Sequence, residues 1–466
     1  MACYQGLGSL GKGGYPGLRQ RRHGRCESKP IAPLAVRRAV AQRLRVQLTA
    51  DERAQQESAF RTHVIGESMN ILVINSGSSS FKYQLFDMRT ETVIAKGLAE
   101  RIGLEGASLR HSAAGRTVTL EQSLPAVGDA IALMLEQLAG EGGALRSLND
   151  IDAVGHRVGH GGEFFPASVA IDGDVMAKMT ELTPLVPLHQ PAFLRGIEAF
   201  AAALPAVPQV AAFDTGFHQT MPPRAWTYGL PDELCRRHRI RRYGFHGSSH
   251  RYVSERAIAL LGRPARGTRI VTCHLGSGGS VAAVKDGCSV DTTMGLTPLE
   301  GVVMGTRCGD LDPSVVEYLM KAEGMSIGET MAVLQKRSGL LGLSGVSPDM
   351  RDVLAAEEAG NARAKDAVDV YCYRVRKTIG AYAAVLGGLD ALVFTAGAGE
   401  NSAAVRRRCV QGLDFLGVAL DEDKNNQAAG EADISAAGAN ARVFVIPTNE
   451  ELVIARDTVK IVQIKC

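Results

Sequence analysis

The feature that most constrains the fold is a strand-and-turn unit that occurs three times in the chain. Each unit begins with an apolar, β-rich run and breaks into a turn of glycine and small residues, at 71–82, 270–280 and 391–401. The first two units resume with a second apolar run, which predicts a β-hairpin, whereas the third leads into 402–408, which reads as a helix start. A unit that occurs early and again in mid-chain predicts two related domains facing one ligand.

Glycine in these turns lets backbone N–H groups approach an anion closely. A single turn of this kind is more often a plain hairpin, but the repetition favours contact with phosphate.

Polar clusters also follow apparent strand ends, which is where α/β proteins bind ligands. They are HRVGHGG (156–162), PLHQP (187–191), FDTGFH (213–218), YGFHGSSH (243–250), MGTRCGDLD (304–312) and NEE (449–451). We expect PLHQP to form a rigid extended loop between its prolines.

The residue types in these clusters narrow the chemistry. Arginine in rigid turns suits the planar oxygens of carboxylates and phosphoryl groups. Asparagine, aspartate and glutamate supply oxygen ligands for Mg²⁺ or its water shell. Together these are the parts of phosphoryl transfer, in which positioning and charge neutralisation dominate.

Composition excludes several other classes. The 466 residues are enough for two large domains, and neither the net charge of +3 nor the 5% aromatic content indicates binding to nucleic acid. No run of 18 apolar residues is present, so no membrane span is predicted. The nine cysteines are an odd number without C-x-x-C spacing, which favours free thiols in a reducing cytoplasm and argues against zinc.

The first 68 residues differ from the rest. Residues 1–50 carry ten Lys/Arg and a single acidic residue, Glu27. Three readings stay open: a disordered tail, a start site assigned upstream of Met69, or a basic arm that binds an anionic surface. Gly6, Gly11 and Lys12 approach the phosphate-loop pattern, but Gly13 stands where Ser or Thr is needed and no strand precedes it, so we reject that motif.

From residue 69 to the C-terminus the chain resembles the acetate kinase family, within the superfamily of acetate and sugar kinases, heat-shock ATPases and actin. The motifs that carry the resemblance are NSGSSSFK, HRVGHGG, PLHQP, FDTGFHQTMP, RYGFHGSSH, MGLTPLEGVVMGTRCGDLDP, SGVSPDMRD, AGAGEN and PTNEEL. It implies an α/β fold of two related actin-like (ribonuclease H-like) domains with a nucleotide cleft between them. The implied domains are 69–214, with a C-terminal helix at 449–466 packed back on it, and 215–448.

The resemblance implies reversible transfer of the ATP γ-phosphoryl group to the carboxylate of a short-chain fatty acid, giving an acyl phosphate and ADP. Acetate is the expected acid, and acetyl phosphate then links to acetyl-CoA formation. Mg²⁺, or Mn²⁺, a homodimer and a cytoplasmic setting are also implied, with no nucleic-acid or membrane partner. A sugar kinase and an ATP-driven binding protein of the same superfamily are the alternatives.

Residue roles follow from the matched motifs. Asn75 and Glu450 would serve the metal, and Arg157 would bind the substrate carboxylate. The catalytic set would be Asp214, His246, Arg307 and His189. The acyl pocket would be walled by Gly159, Leu188, Phe245 and Pro298. The nucleotide contacts would be Ser78, Ser80, Lys82, His274, Leu275, Gly276, Ser277, Gly278, Asp349, Met350, Arg351, Gly397, Ala398, Gly399, Glu400 and Asn401.

Two positions depart from the family's usual pattern. Ser277 stands where the family usually has Asn, which we expect to tune nucleotide contacts only. Gly159 stands where the family usually has Val, whose side chain would wall the acyl pocket. Either the missing isopropyl group leaves room for propionate or butyrate, or neighbouring backbone refills the space and acetate stays preferred.

Overall fold

The computed structural model describes residues 69–140, 142–187 and 189–465. The basic segment 1–68 and the pocket residue Leu188 lie outside the described residues. The strands are β1 (Asn70–Ser76), β2 (Phe81–Asp87), β3 (Thr92–Glu100), β4 (Ser108–Ala113), β5 (Arg116–Glu121), β6 (Ala153–Val158), β7 (Val169–Ala170), β8 (Gln209–Phe213), β9 (Arg269–Leu275), β10 (Gly279–Lys285), β11 (Cys288–Thr292), β12 (Ala391–Thr395), β13 (Ala432–Asp433) and β14 (Arg442–Val445).

These strands form two sheets built on one plan. The first sheet has the order β5-β4-β3-β2-β1-β6-β8-β7, and the second has the order β11-β10-β9-β12-β14-β13. In each, three antiparallel strands (β1–β3 or β9–β11) are followed by two strands parallel to the first, namely β6 and β8 or β12 and β14. The α/β prediction of two related actin-like units is therefore confirmed, as are the two hairpins.

The described residues contain fifteen α-helices. They are α1 (Val127–Ala139), α2 (Gly173–Glu181), α3 (Gln190–Ala203), α4 (Pro223–Trp226), α5 (Asp232–His238), α6 (Gly247–Leu260), α7 (Ser314–Glu323), α8 (Ile327–Lys336), α9 (Gly339–Ser344), α10 (Met350–Glu358), α11 (Ala362–Leu386), α12 (Ala396–Asn401), α13 (Ala403–Val410), α14 (Glu422–Gln427) and α15 (Glu450–Lys465). No helix in this part of the chain is long and apolar enough to cross a membrane.

Strand β1 in the middle of the first sheet is buried on both faces; successive residues of a strand point to opposite sides, and helices cover each side. Leu72 and Ile74 of β1 pack with α1 and α3, whereas Ile71 and Val73 pack with α15 on the other face. The C-terminal helix therefore returns to the first sheet, although the chain has by then built the second.

The second sheet is covered in the same way. Val271 and Cys273 of β9 pack against the 25-residue helix α11, and Ile270 packs on the opposite side against α6. Helix α11 ends where Gly387 adopts a left-handed conformation (φ 73°), which glycine reaches without a steric cost.

Candidate active site

Three polar side chains meet at the carboxyl ends of the parallel strands β1, β6 and β8. Asn75 of β1 is paired in register with Arg157 of β6, and Asp214 follows directly after the last residue of β8. Parallel strands end at the same edge of a sheet, which brings these residues together. Arg157 therefore lies on a strand, whereas the sequence indicated arginines in rigid turns.

Arg157 is the centre of this group. Its Nε and Nη2 donate to Oδ1 and Oδ2 of Asp214 at 3.0 and 2.6 Å, and its Nη1 lies 3.4 Å from Oδ1 of Asn75. Glu450, the first residue of α15, places a carboxylate oxygen 3.4 Å from the same guanidinium. Four residues that were predicted from separate motifs thus form one cluster.

Two carboxylates share one guanidinium in this cluster. Burial raises the pKa of Glu450 to about 7, with Asp214 and Glu451 adding to the rise while Arg157 and Lys82 oppose it. Burial also raises the pKa of Asp214, against the opposing effect of Arg157. Burial disfavours the cation of Arg157, but both carboxylates outweigh this and raise its pKa. The surplus of negative charge leaves the cluster suited to a further cation.

The donor atoms of the cluster fit Mg²⁺. Mg²⁺ prefers oxygen ligands, keeps several waters, and is commonly held by one or two carboxylates together with substrate phosphates. Asn75, Asp214 and Glu450 supply an amide oxygen and two carboxylates at one place. The described residues contain no group of three His, Cys, Asp or Glu arranged to hold a metal by themselves. A hydrated ion bound jointly with a phosphate matches this set.

A second cluster lies beside the turn between β9 and β10. His246 stacks on His274 with ring centroids 4.1 Å apart, and Arg307 donates from Nη1 to the carbonyl of Pro298 at 3.1 Å. A Cβ on Gly278 would lie 3.3 Å from Nη1 of Arg307 and 3.5 Å from Nε2 of His246. Glycine at 278 therefore lets the turn approach both side chains closely.

Arg307 has no carboxylate partner among the described residues. Its partners are the carbonyl of Pro298 and, at 3.4 Å, the sulfur of Met304. Burial lowers the pKa of Arg307, as expected for a cation that is partly removed from water. His189 lies close enough that Arg307 adds to the effect of burial in lowering the pKa of His189. An uncompensated, half-buried cation is a site prepared for an anion.

Buried hydroxyl groups connect the histidines behind this cluster. Nδ1 of His246 lies 2.8 Å from Oγ of Ser280, which lies 2.7 Å from Nε2 of His250. The Nδ1 of His250 lies 2.7 Å from Oγ1 of Thr272. Burial, with contributions from His274 and His250, holds the pKa of His246 well below its usual value. His246 is therefore a neutral imidazole at physiological pH.

His246 is also strained. It has φ 56° at the residue that precedes α6, in a region that non-glycine residues rarely occupy. Such strain persists only where the surrounding structure holds the residue in place, and it concentrates at functional sites. Ala396, at the first position of α12, has φ 61° and shares this property.

A cavity of about 720 Å³ joins three of the segments predicted to contact nucleotide. The predicted residues that line it are Gly276, Ser277, Asp349, Met350, Arg351, Gly397, Ala398 and Asn401. A Cβ on Gly397 would lie 3.5 Å from Cα of Gly276, so the two glycine turns are in contact. The sequence did not reveal the other lining residues Leu340, Pro348, Leu354, Tyr371 and Ser402, although Leu354 lies one helical turn after Met350.

Several residues predicted to contact nucleotide also hold the turns in place. The side chain of Glu400 accepts hydrogen bonds from the backbone N–H groups of Ala396 at 2.7 Å and Thr448 at 3.1 Å. Leu275 and Gly399 are buried, and His274 is held by Ser249 at 2.8 Å. The segment predicted to be a turn at 397–401 is part of the short helix α12.

The turn between β1 and β2 stays open to solvent. Gly77 donates to the carbonyl of Ser80 at 2.7 Å, and Ser78 is exposed. Lys82 lines a separate cavity of about 290 Å³ together with Glu451. Its charge nevertheless reaches Glu450, since it opposes the rise in the pKa of that carboxyl.

Residues 189–191 of the segment PLHQP do not form the extended loop that its prolines suggested. His189 has helical dihedral angles (φ −115°, ψ −40°) and precedes α3, with Pro191 in the first turn. Proline is tolerated there because the first N–H groups of a helix have no partner within the helix. The two prolines therefore mark a helix start, and His189 is placed at its end.

The ring of Phe193, a residue that no sequence motif singled out, lies in the space beside Gly159. A Cβ on Gly159 would lie 3.1 Å from Cε2 and 3.2 Å from Cζ of Phe193, closer than an ordinary van der Waals contact. The available signal was its position, because Phe193 lies four residues after His189 and so on the same face of α3.

Comparison with known proteins assigns the chain to a family. A sequence profile of the acetokinase family matches residues 70–456. The chain belongs to the acetokinase family. Acetate kinase of Heliobacterium modesticaldum is 54% identical to it over 397 residues, which are 85% of this chain and 100% of that protein.

Solved structures of the family resemble this one. The crystal structure of Porphyromonas gingivalis acetate kinase has a TM-score of 0.82 and 46% identity, and covers 84% of this chain and 100% of its own. A propionate kinase from Francisella tularensis has a TM-score of 0.79 and 41% identity, and covers 84% of this chain and 99% of its own.

Proposed function

We propose that this chain transfers the γ-phosphoryl group of ATP to the carboxylate of acetate, giving acetyl phosphate and ADP, and that it also runs in reverse. The observation that carries the proposal is Arg307, a half-buried cation without a carboxylate partner among the described residues, beside His246 and the glycine turn at Gly278. Membership of the acetokinase family supports the same reaction.

The reaction does not need a strong general base. A carboxylate is already ionised at pH 7, so one of its oxygens can attack the γ-phosphorus directly. A bond forms between that oxygen and phosphorus, while the bond from phosphorus to the β–γ bridging oxygen breaks and ADP leaves with the electron pair. The main obstacle is repulsion between two anions, which Arg307 and His246 would offset at the transferring group, while Arg157 would orient the substrate carboxylate.

The direction of the buried hydrogen bonds determines whether Nε2 of His246 carries a proton that it can donate. His246 presents an N–H at Nε2 only if its Nδ1 accepts the proton of Ser280. Ser280 must then accept from Nε2 of His250, whose Nδ1 accepts from Thr272. In this arrangement every hydrogen bond of the chain points toward the cleft, and neutral His246 acts as a donor to a phosphoryl oxygen.

We assign the metal site to Asn75 and Glu450, with Asp214 orienting water around the ion; Glu451 is the weaker candidate of the glutamate pair. Bound Mg²⁺, or Mn²⁺, supplies charge neutralisation at the phosphates. Arg157 orients Asp214 by its two hydrogen bonds and opposes the rise in the pKa of that carboxyl that burial causes. A homodimer and a cytoplasmic setting are part of the same proposal by family resemblance.

The alternatives require different chemistry. A sugar kinase must activate a hydroxyl group and has no use for an arginine facing a carboxylate. An ATP-driven binding protein does not need Arg157, Arg307, His189 and His246 around one cleft. Propionate remains a second candidate acid, since a propionate kinase is among the similar structures.

Trapping of acyl phosphate with hydroxylamine tests the proposal. The purified chain with ATP, Mg²⁺ and acetate should form acetohydroxamate, and no product should form without ATP or without acetate. Release of phosphate without hydroxamate would favour an ATP-driven binding protein, and phosphorylation of glucose in a parallel reaction would favour a sugar kinase.

A further inference from the structure

We propose that Phe193 sets the length of the carboxylic acid that this chain accepts, by occupying the space that Gly159 leaves beside the acyl pocket. The inference rests on the proposed function. It concerns a residue on α3 that stands outside the predicted site, and it begins from the contact between the two residues.

A side chain at position 159 would point at the ring of Phe193. Gly159 follows the last residue of β6 and lies two positions after Arg157, the residue assigned to the substrate carboxylate. The distances of 3.1 and 3.2 Å from a Cβ to the ring edge mean that any side chain at 159 would force the ring to move. The ring thus occupies the position beside Gly159 that a side chain would fill.

Phe193 also lies one helical turn from His189, a residue of the predicted catalytic set. Its backbone N–H donates to the carbonyl of His189 at 3.2 Å, which fixes the two residues one helical turn apart on the same face of α3. His189 lies near Arg307, and Arg307 donates to the carbonyl of Pro298 in the predicted pocket wall. The ring of Phe193 therefore packs beside the residue that follows β6, on a helix whose first turn starts at His189, the neighbour of Arg307.

His160, the residue after Gly159, connects this region to the pocket wall that contains Phe245. Its ring lies 5.6 Å from the ring of Phe245, the third predicted wall residue. Phe193 itself is half-buried, because it packs against the cluster that contains Val158, Leu182 and Phe213. This anchoring on one side holds the ring in place while its remaining surface is accessible.

A phenyl ring in place of an isopropyl group shortens the pocket rather than lengthening it. Each additional methylene of the acid then has to displace the ring, and a methylene in such a pocket changes relative kcat/KM by about 10- to 200-fold. We therefore expect acetate to be preferred over propionate, and propionate over butyrate. Gly159 is needed in this chain because it makes room for the ring.

Substitutions at both positions test this pairing. We would measure kcat/KM for acetate, propionate and butyrate by hydroxamate formation in wild type, Phe193→Ala, Gly159→Val and the double variant. Phe193→Ala should raise the propionate-to-acetate ratio at least about 10-fold. Gly159→Val should lower activity with acetate, since its side chain meets the ring, and the double variant should regain both activity and the acetate preference.

Matched variants keep the outcome interpretable. Phe164→Ala removes another half-buried phenylalanine packed on the same cluster and should leave the three ratios unchanged. Phe193→Leu replaces Phe193→Ala if the latter does not fold, and should shift the ratio in the same direction. Unchanged ratios in an active, folded Phe193 variant would overturn the role of Phe193 alone. Absence of hydroxamate from wild type with all three acids would overturn the proposed function as well.

Discussion

Two arginines of the cleft lie in opposite electrostatic surroundings. Arg157, on β6, is held by two hydrogen bonds to Asp214 and lies 3.4 Å from Glu450. Arg307, in the glycine-flanked turn of 304–312, contacts a carbonyl and a sulfur atom and pairs with no carboxylate in the described part of the chain. The first cation is balanced by its own protein, and the second is not.

This difference indicates different roles for the two guanidinium groups: one orients an anion, and the other attracts it. A guanidinium whose charge is already balanced adds little net attraction for an anion, but its fixed fork can orient a carboxylate. An unbalanced, partly desolvated guanidinium attracts an anion strongly because the surrounding dielectric is low. We therefore assign the stabilisation of developing charge on the phosphoryl group to Arg307, and the alignment of the cluster to Arg157.

The largest expected effect is on turnover in Arg307→Ala. Loss of one preorganised group that stabilises the transition state lowers kcat by about 10²–10³. Steady-state kinetics and thermal unfolding should show lost turnover with a retained fold. Arg307→Lys should recover part of the rate, and Arg376→Ala is the control, since the half-buried Arg376 donates to the carbonyl of Gln411 and lies over the ring of Tyr373, away from the cleft. Near-normal turnover in Arg307→Ala would contradict the assignment.

The second prediction concerns stability, for which we expect Arg157 to matter more than Arg307. Arg157→Ala leaves buried carboxylates at Asp214 and Glu450 without their cation, which should lower the free energy of unfolding by about 3 kcal/mol. Arg307→Ala leaves no carboxylate unpaired and should change that free energy far less. Chemical denaturation of both variants checks the contrast. Equal destabilisation would show that Arg307 has a structural partner as important as Asp214.

The third prediction tests whether the histidines behind Arg307 are uncharged. His218, whose ring lies 5.6 Å from that of His250, has its pKa lowered to about 4 by burial, against its hydrogen bond to the carbonyl of Phe245. Between pH 6.5 and 4 the unfolded chain binds a proton at His218 that the folded chain does not. The stabilisation is therefore complete above pH 6.5 and is lost as the pH falls toward 4, by up to about 3 kcal/mol.

Denaturation across this pH range checks that linkage. His218→Gln should show a shallower fall in the free energy of unfolding between pH 6.5 and 4 than wild type. His238→Gln, at the exposed end of α5, is the matched control. Parallel curves for wild type and His218→Gln would mean that His218 titrates alike in both states.

The smallest effect is expected for Ser280→Ala, which removes the hydroxyl between His246 and His250. Without it Nδ1 of His246 loses the donor that keeps the N–H on Nε2, so kcat should fall about 10-fold, less than the loss of a direct stabilising group. KM for acetate should change little. Partial recovery in Ser280→Thr would support the hydroxyl itself, whereas unchanged kcat in Ser280→Ala would show that the tautomer of His246 is set by other groups.

Much of this arrangement could be predicted from local sequence, for a physical reason. Apolar runs such as 71–74 and 270–273 define strands, and the glycine turns after them define hairpins, because both signals lie within a few residues. The meeting of Asn75, Arg157 and Asp214 follows from their positions at strand ends. The burial of β1 on both faces likewise follows from its short, continuous run of apolar residues.

Other features depend on contacts between distant residues, which local sequence patterns do not show. Pairing of Arg157 with Asp214 joins positions 57 residues apart. Nothing near 307 in the sequence shows that Arg307 stays without a carboxylate, since Asp310 and Asp312 are close by in the chain. The ring of Phe193 could not be placed beside Gly159 either, because PLHQP was read as an extended loop rather than a helix start.

The measurement that tests the account most directly follows the oxygen of the substrate. Acetate labelled with ¹⁸O in both carboxylate positions, incubated with the chain, ATP, Mg²⁺ and hydroxylamine, should yield phosphate carrying one ¹⁸O atom by mass spectrometry. That result requires a bond between the carboxylate oxygen and the γ-phosphorus, as the account predicts. Phosphate without ¹⁸O would mean that water accepts the phosphoryl group and would contradict transfer to the carboxylate.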